Sequence, residues 1–279
     1  MIAYFNNRFL PKEEIRISPD DRGFLFGDGV YEVIRAYSGK LFQADAHLMR
    51  LERSLRELKI TGVDVANLQQ IAKTLLERND LRTGDATVYL QVTRGAAPRK
   101  HSFPDKDTPP TVYLSASAFQ PPLQKIENGV KVILLPGIRW TRCDIKSVSL
   151  VANVLANQQA KEQGAEEAVF VRDGTITEGT HSNFCGVFGG ELVTHPADNY
   201  ILAGITREVV LNLCRGLGIA VRERPVAEKD LPRADELIML GTTTEVMPIV
   251  QMNDRQIGDG KPGPVTRRLQ KAFRELTLR

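Results

Sequence analysis

The stretch AVFVRDGTITEG, residues 168–179, decides how the second half of the chain is built. Two runs rich in β-branched residues flank Asp173-Gly174, a pair that accepts positive φ, so the segment reads as a β-hairpin. Working outward, KVILLP at 131–136 is a continuous apolar run suited to a buried strand. A helix is expected between them, from about Leu150 to Gln163. Past the hairpin, ELVTHP at 191–196 is another strand, and TREVVLNLCRGLG at 206–218 reads as a helix. Val209, Val210, Leu213 and Leu217 share one side of that helix, with Gly216 or Gly218 near its end. A strand at about 236–240, a short helix beginning near Thr243 and a terminal helix PVTRRLQKAFREL complete the pattern.

The first half mixes the same elements. IAYF and RFL are strand-like pieces separated by Asn6-Asn7, a turn-prone pair. After Gly27, Asp28 and Gly29 comes the strand region YEVIRAYSGKLF. Leu48, Leu51, Leu55 and Leu58 recur at helical spacing across 44–60, and a second helix covers about 66–79. TVYLQVTRG at 87–95 and TVYLSASAF at 111–119 are strands. Gln120–Gly129, with Pro121-Pro122, has the composition of a connection between domains. Without strict βαβ alternation, this order gives two α/β (α+β) domains with antiparallel or mixed sheets. The smaller covers 1–119, the linker 120–129 and the larger 130–279.

The 279 residues suffice for two domains, and 42% hydrophobic and 25% charged residues are ordinary for globular chains. A net charge of +3, spread along the chain, gives no support for a nucleic-acid partner. The start, MIAYFNNRFLP, lacks the pattern of a cleaved leader, and no apolar run approaches a membrane span. Cys143, Cys185 and Cys214 are widely spaced and odd in number, which argues for reduced thiols rather than disulfides or a metal site. A cytoplasmic enzyme without metal is the expectation.

Three places have the chemistry of anion binding. LAGITREVV at 202–210 puts Gly204 before a helix start, where unpaired N–H groups and the helix dipole favour a phosphate. GTTTEV at 241–246 pairs Thr242 with Glu245 as a capping box would, so it reads as a second helix start. RGAAPRKH at 94–101 gathers Arg94, Arg99, Lys100 and His101 in a Gly/Pro loop, suited to a carboxylate. Chemistry alone singles out neither Lys146, in RCDIKSVSL, nor Glu178, in ITEGTHSN.

Seven ordered blocks carry a resemblance that changes this. GDGVYEVIRAY at 27–37, HLMRLERSL at 47–55, RGAAPRKH at 94–101, DIKS at 144–147, TEGTHSNF at 177–184, LAGITREVV at 202–210 and GTTTEVMPI at 241–249 resemble the fold-type IV enzymes of pyridoxal 5'-phosphate (PLP). The resemblance spans about 24–250. It implies a smaller N-terminal α/β domain and a larger cofactor domain with a mixed, barrel-like sheet.

It also implies roles. Lys146 would carry PLP as an internal Schiff base and shuttle the proton, and Glu178 would pair with the pyridine nitrogen. Arg50, Ile205, Thr206 and Thr242 would take the phosphate, and Leu202 would pack beneath the ring. Tyr31, Arg99 and His101 would hold the substrate carboxylate, with His47 behind the site. In D-amino-acid transaminases, which have an Arg-x-His pair in this loop, the loop reaches the site from the neighbouring subunit, implying a homodimer. The expected reaction is therefore amino transfer from a D-amino acid such as D-alanine to a 2-oxo acid such as 2-oxoglutarate. R-selective amine or branched-chain transamination is the alternative, followed by aminodeoxychorismate lyase chemistry. Lys100 is expected to face solvent. His181 stands where small hydroxyl residues are usual.

Overall fold

The computed structural model describes residues 1–278, which form two compact units. The first is Met1–Gln120 together with Ile145–Leu150; the second is Pro121–Asp144 and the chain from Val151 onward.

The first unit is an antiparallel sheet covered on one face by helices. Its strands are β1 (Ile2–Phe5), β2 (Arg8–Pro11), β3 (Gly29–Tyr37), β4 (Lys40–Leu41), β5 (Ala86–Thr93) and β6 (Thr111–Ala118), in the order β2-β1-β6-β5-β3-β4. Its helices are α1 (Arg22–Phe26), α2 (Ala44–Glu57) and α3 (Val65–Arg78). The Asn6-Asn7 turn has positive φ at both residues, as its composition requires. Registers Val30↔Val92, Ile34↔Val88 and Leu90↔Leu114 bring the apolar alternation of three strands onto one face. That face packs on Leu48, Leu51 and Leu55 of α2 and Leu68, Ile71, Leu75 and Leu76 of α3. The other face carries the half-buried Tyr31, Tyr89, Gln91 and Tyr113. Residues 145–150 lie along the start of β3, where Tyr31 donates its N–H to the Lys146 carbonyl (3.0 Å) and Val148 to that of Gly29 (3.0 Å).

The second unit opens with α4 (Leu123–Asn128), inside the stretch whose prolines suggested a plain connection; Pro121-Pro122 here precede a helix rather than replace one. Then come β7 (Val130–Pro136), α5 (Val151–Glu162), β8 (Glu167–Arg172), β9 (Thr175–Gly179), β10 (Asn183–Phe188), β11 (Glu191–Thr194) and α6 (Ile205–Gly216). β12 (Val221–Glu223), β13 (Val226–Ala227), β14 (Glu236–Gly241), β15 (Glu245–Met252), β16 (Arg255–Gln256) and α7 (Pro264–Thr277) follow. Asp173 and Gly174 both have positive φ in the β8–β9 turn, the hairpin read from the sequence. Strands β10, β14, β15, β7, β8 and β9 pair in succession, and β9 pairs back to β10 through Glu178↔Asn183, so six strands close a barrel-like sheet. The β7–β8 and β15–β7 pairs are parallel, which makes the sheet mixed. Val132, Val169, Ile176, Phe184, Met239 and Met247, one from each strand, share its core, while Ala156 and Ala160 of α5 pack on Ile133 and Phe170.

One expectation fails. No helix begins near Thr243: residues 242–244 form a turn, and β15 runs on from Glu245 in a hairpin with β14. Pro248 explains it, since a helix from Thr243 would meet a proline within two turns, whereas Val246, Met247 and Ile249 fit a buried strand. Glu245 takes positive φ at the turn exit, so the Thr242–Glu245 spacing mimics a capping box without forming one.

Candidate active site

In the first unit, Lys146 is half-buried, and its backbone N–H donates to the Ser54 hydroxyl of α2 (3.4 Å). Its Nζ stands 4.2 Å from the centroid of the Tyr31 ring, a cation–π contact that fixes the amine over the half-buried face of the sheet. The Tyr31 ring stacks on Tyr89 (5.9 Å), whose hydroxyl donates to Gln91 Oε1 (2.6 Å). Burial, with Tyr31 and Tyr113 nearby, pushes the Tyr89 hydroxyl up to about 12, so it remains a donor.

On the opposite face, Glu32 interrupts the apolar alternation of β3 and is wholly buried. Arg50 grips it side-on, Nε to Oε1 at 2.7 Å and Nη2 to Oε2 at 2.8 Å, and His47 Nδ1 lies 2.8 Å from Oε2. Burial alone would raise the Glu32 carboxyl, but the Arg50 charge and the hydrogen bonds from Arg50 and His47 hold it at about 2. Burial also pushes the His47 imidazole below its usual range. His47 is therefore a neutral partner of Glu32, and Glu32 is what orients Arg50.

The 94–101 loop divides by role. Arg94 is buried, bidentate on Asp28 (2.7 and 2.9 Å), and donates to the Leu58 and Lys59 carbonyls. It is a structural pin rather than part of a carboxylate-receiving group. Arg22 reaches from Asp28 to the Lys100 carbonyl (2.7 Å) and fixes the outer loop. Burial opposes charge on Asp28, yet Arg94 and Arg22 together lower its pKa. Arg99, Lys100 and His101 are exposed; Arg99 and His101 both lie against the Phe26 ring (5.2 and 5.6 Å). The structure brings Tyr31 to Lys146, and Arg99 to His101 around Phe26, but none of the described contacts joins these two pairs within one chain.

In the second unit, Glu178 ends β9 with a buried carboxylate. Arg139 donates to Oε1 (2.6 Å), while Asn183 Nδ2 (3.1 Å) and the Leu202 N–H (2.9 Å) donate to Oε2. Asn183 also donates to the Leu202 carbonyl (2.9 Å), which ties the 202–204 segment to the point of barrel closure. Helix α6 then begins at Ile205 with Gly204 as N-cap and no side-chain cap, and Thr206 is buried in its first turn. A side chain at Gly204 would overlap Asn183 Oδ1, so only glycine admits this approach. Thr242, half-buried in the β14–β15 turn, sits beside Gly241 and the buried Thr244. Its hydroxyl is offered by a hairpin turn, not by a helix start.

Glu32, Arg139 and Asn183 had no role assigned from the sequence. Glu32 and Asn183 lie inside the matching blocks, so the signal was there; Arg139 lies outside them and carries none. Each unit carries donors whose chemistry fits PLP: the first a lysine amine and an arginine, the second a carboxylate suited to a protonated ring nitrogen and an uncapped helix start suited to a phosphate. Among the described residues no cluster of His, Cys, Asp or Glu could hold a metal, and no helix is long and apolar enough to cross a membrane.

The chain is similar to known proteins along most of its length. The model of the amino-transferase class IV family matches residues 29–252. The D-alanine aminotransferase of Staphylococcus haemolyticus is 42% identical over 97% of this chain and 96% of its own length. That of Bacillus licheniformis is 42% identical over 100% and 98%. Among solved structures, the branched-chain amino acid aminotransferase of Escherichia coli superposes with a TM-score of 0.92 at 25% identity, covering 99% of this chain and 94% of that one. The branched-chain aminotransferase of the archaeon Thermoproteus uzoniensis, solved with norvaline, gives 0.89 at 26%, covering 100% and 95%. With a family match across most of its length and near-full-length relatives, this chain belongs to the class IV aminotransferases.

Proposed function

We propose that this PLP-dependent aminotransferase is a D-amino-acid transaminase, moving the amino group of a donor such as D-alanine to a 2-oxo acid such as 2-oxoglutarate. The observation that carries the choice of D-amino acids is the loop pinned by Arg22 and Arg94, which presents Arg99 and His101 outward as an exposed pair. The D-alanine aminotransferases, similar over nearly the whole chain, support it.

PLP, when bound, supplies a carbonyl for the donor amine and a ring that stores the electron pair left by the α-proton. The residues do the rest. Lys146 Nζ holds the cofactor covalently, then takes up and returns the α-proton. The Glu178 carboxylate, kept an acceptor by Arg139, Asn183 and the Leu202 N–H, holds a proton on the ring nitrogen. Arg50, oriented by Glu32, would take the phosphate with the Ile205 N–H, Thr206 and Thr242, and Leu202 would contact the ring. Tyr31 and the partner subunit's Arg99 and His101 receive the α-carboxylate, turning the α-hydrogen of a D-substrate toward Lys146. The protein thus works as a homodimer, and its three buried, unpaired thiols fit the cytoplasm.

The branched-chain aminotransferases among the structural neighbours favour a second reading, an enzyme of L-amino acids. Supplying D- or L-alanine with 2-oxoglutarate separates the two. D-glutamate formed from D-alanine is the expected result; turnover of L-alanine alone would assign the second reading.

A further inference from the structure

Glu167 opens β8 with a carboxylate that has no exposed surface. Its partners are all donors on the short turn that joins β9 to β10. The His181 N–H (2.8 Å) and Thr180 hydroxyl (3.2 Å) reach Oε1, the Ser182 hydroxyl (2.9 Å) reaches Oε2, and His181 Nδ1 lies 3.5 Å from Oε2. A side chain at Gly179 would overlap Oε1, so even the glycine of this turn is dictated by the carboxylate. Thr180 is held further by Asn153, which donates to its carbonyl (2.7 Å).

The turn has two ends, and both bear on the Glu178 carboxylate. Glu178 precedes it and Asn183 follows it; the pair closes the barrel, and Asn183 donates to Glu178. A buried carboxylate is an expensive way to brace a turn, because its desolvation must be offset by several donors. In return it fixes three consecutive residues at once, through two acceptor atoms on a rigid strand. Arg139 and the Leu202 N–H reach Glu178 from connecting segments outside the turn, so small shifts of the turn alter how the carboxylate is presented.

We propose that Glu167 is a positioning residue for Glu178: it locks residues 179–182 so that Glu178 and Asn183 hold their paired geometry, and thereby sets cofactor affinity. This rests on the reading that Glu178 receives the ring nitrogen of PLP.

The test uses the full chain stripped of cofactor and titrated with PLP by absorbance, alongside thermal unfolding, in E167Q, E178Q and the double variant. Glu167→Gln keeps the shape but turns one acceptor into a donor facing donors. It is expected to weaken PLP binding about 10-fold, and Glu178→Gln more strongly. The double variant is expected to match E178Q within about twofold, because a brace has nothing to position once the carboxylate is gone. An E167Q that melts earlier yet binds PLP like the parent, or a double variant in which both losses multiply, overturns the proposal. If E167Q does not fold, S182A and T180V each remove one donor and are expected to weaken binding about threefold; unchanged affinity in both overturns it equally. If E178Q itself binds PLP normally, the reading of Glu178 falls and the proposal with it, whereas a weakened E178Q beside a normal E167Q sinks the proposal alone.

Discussion

The two units handle buried charge differently. In the first, most buried cations are spent on structure, Arg22 and Arg94 on Asp28 and Arg35 on Asp85, while Arg50, assigned to the phosphate, is held by Glu32. Apart from Arg50, the groups assigned to chemistry there, Lys146, Tyr31, Arg99 and His101, are half-buried or exposed tips on that braced frame. In the second unit the assigned carboxylate is itself part of the frame. Glu178 lies in the strand pair that closes the barrel, with Arg139, Asn183 and Leu202 bound to it. Function and stability are therefore separable in the first unit, Arg50 excepted, and entangled in the second.

The largest effect that sharpens this contrast is Lys146→Ala. Activity should fall by about 10³-fold or more with loss of the covalent amine, while the melting midpoint of the cofactor-free protein stays within about 2 °C. A large loss of stability would break the contrast. Glu178→Gln should lower kcat by about 10²-fold and, unlike the lysine change, also lower the melting midpoint, since it removes an acceptor from the half-buried Arg139. Arg99→Ala should raise KM for a D-amino acid by about 10-fold with stability untouched, because the side chain is exposed. Steady-state kinetics and a thermal melt read both.

Glu32→Gln tests the frame itself. Removing one partner of a buried pair should cost about 3 kcal/mol. Because the folded Glu32 carboxyl lies at about 2, below its ordinary value of 4.5, its contribution is present above about pH 4.5 and is lost as pH falls toward 2. The parent's urea midpoint should decline across that window, and E32Q should show a shallower decline.

Much of this was legible in the sequence. The Asp173-Gly174 hairpin, the leucine spacing of α2 and the alternation of β5 each follow from one local rule. The turn at 242–244 was misread because Thr242 and Glu245 satisfy a capping pattern, and only Pro248 and the pairing with β14 overrule it. Lys146 had no local signal; seven blocks in order picked it out. The bracing partners were the least visible. Glu167 acts on residues 13–15 positions away and Arg139 on one 39 away, and no periodicity records such contacts.

The most direct measurement of the central claim is a half-reaction without acceptor. D-alanine or L-alanine is added to the PLP-loaded protein, and the absorbance of the bound cofactor is followed. The account predicts that D-alanine converts the cofactor and L-alanine leaves it unchanged. Conversion by L-alanine alone would contradict it.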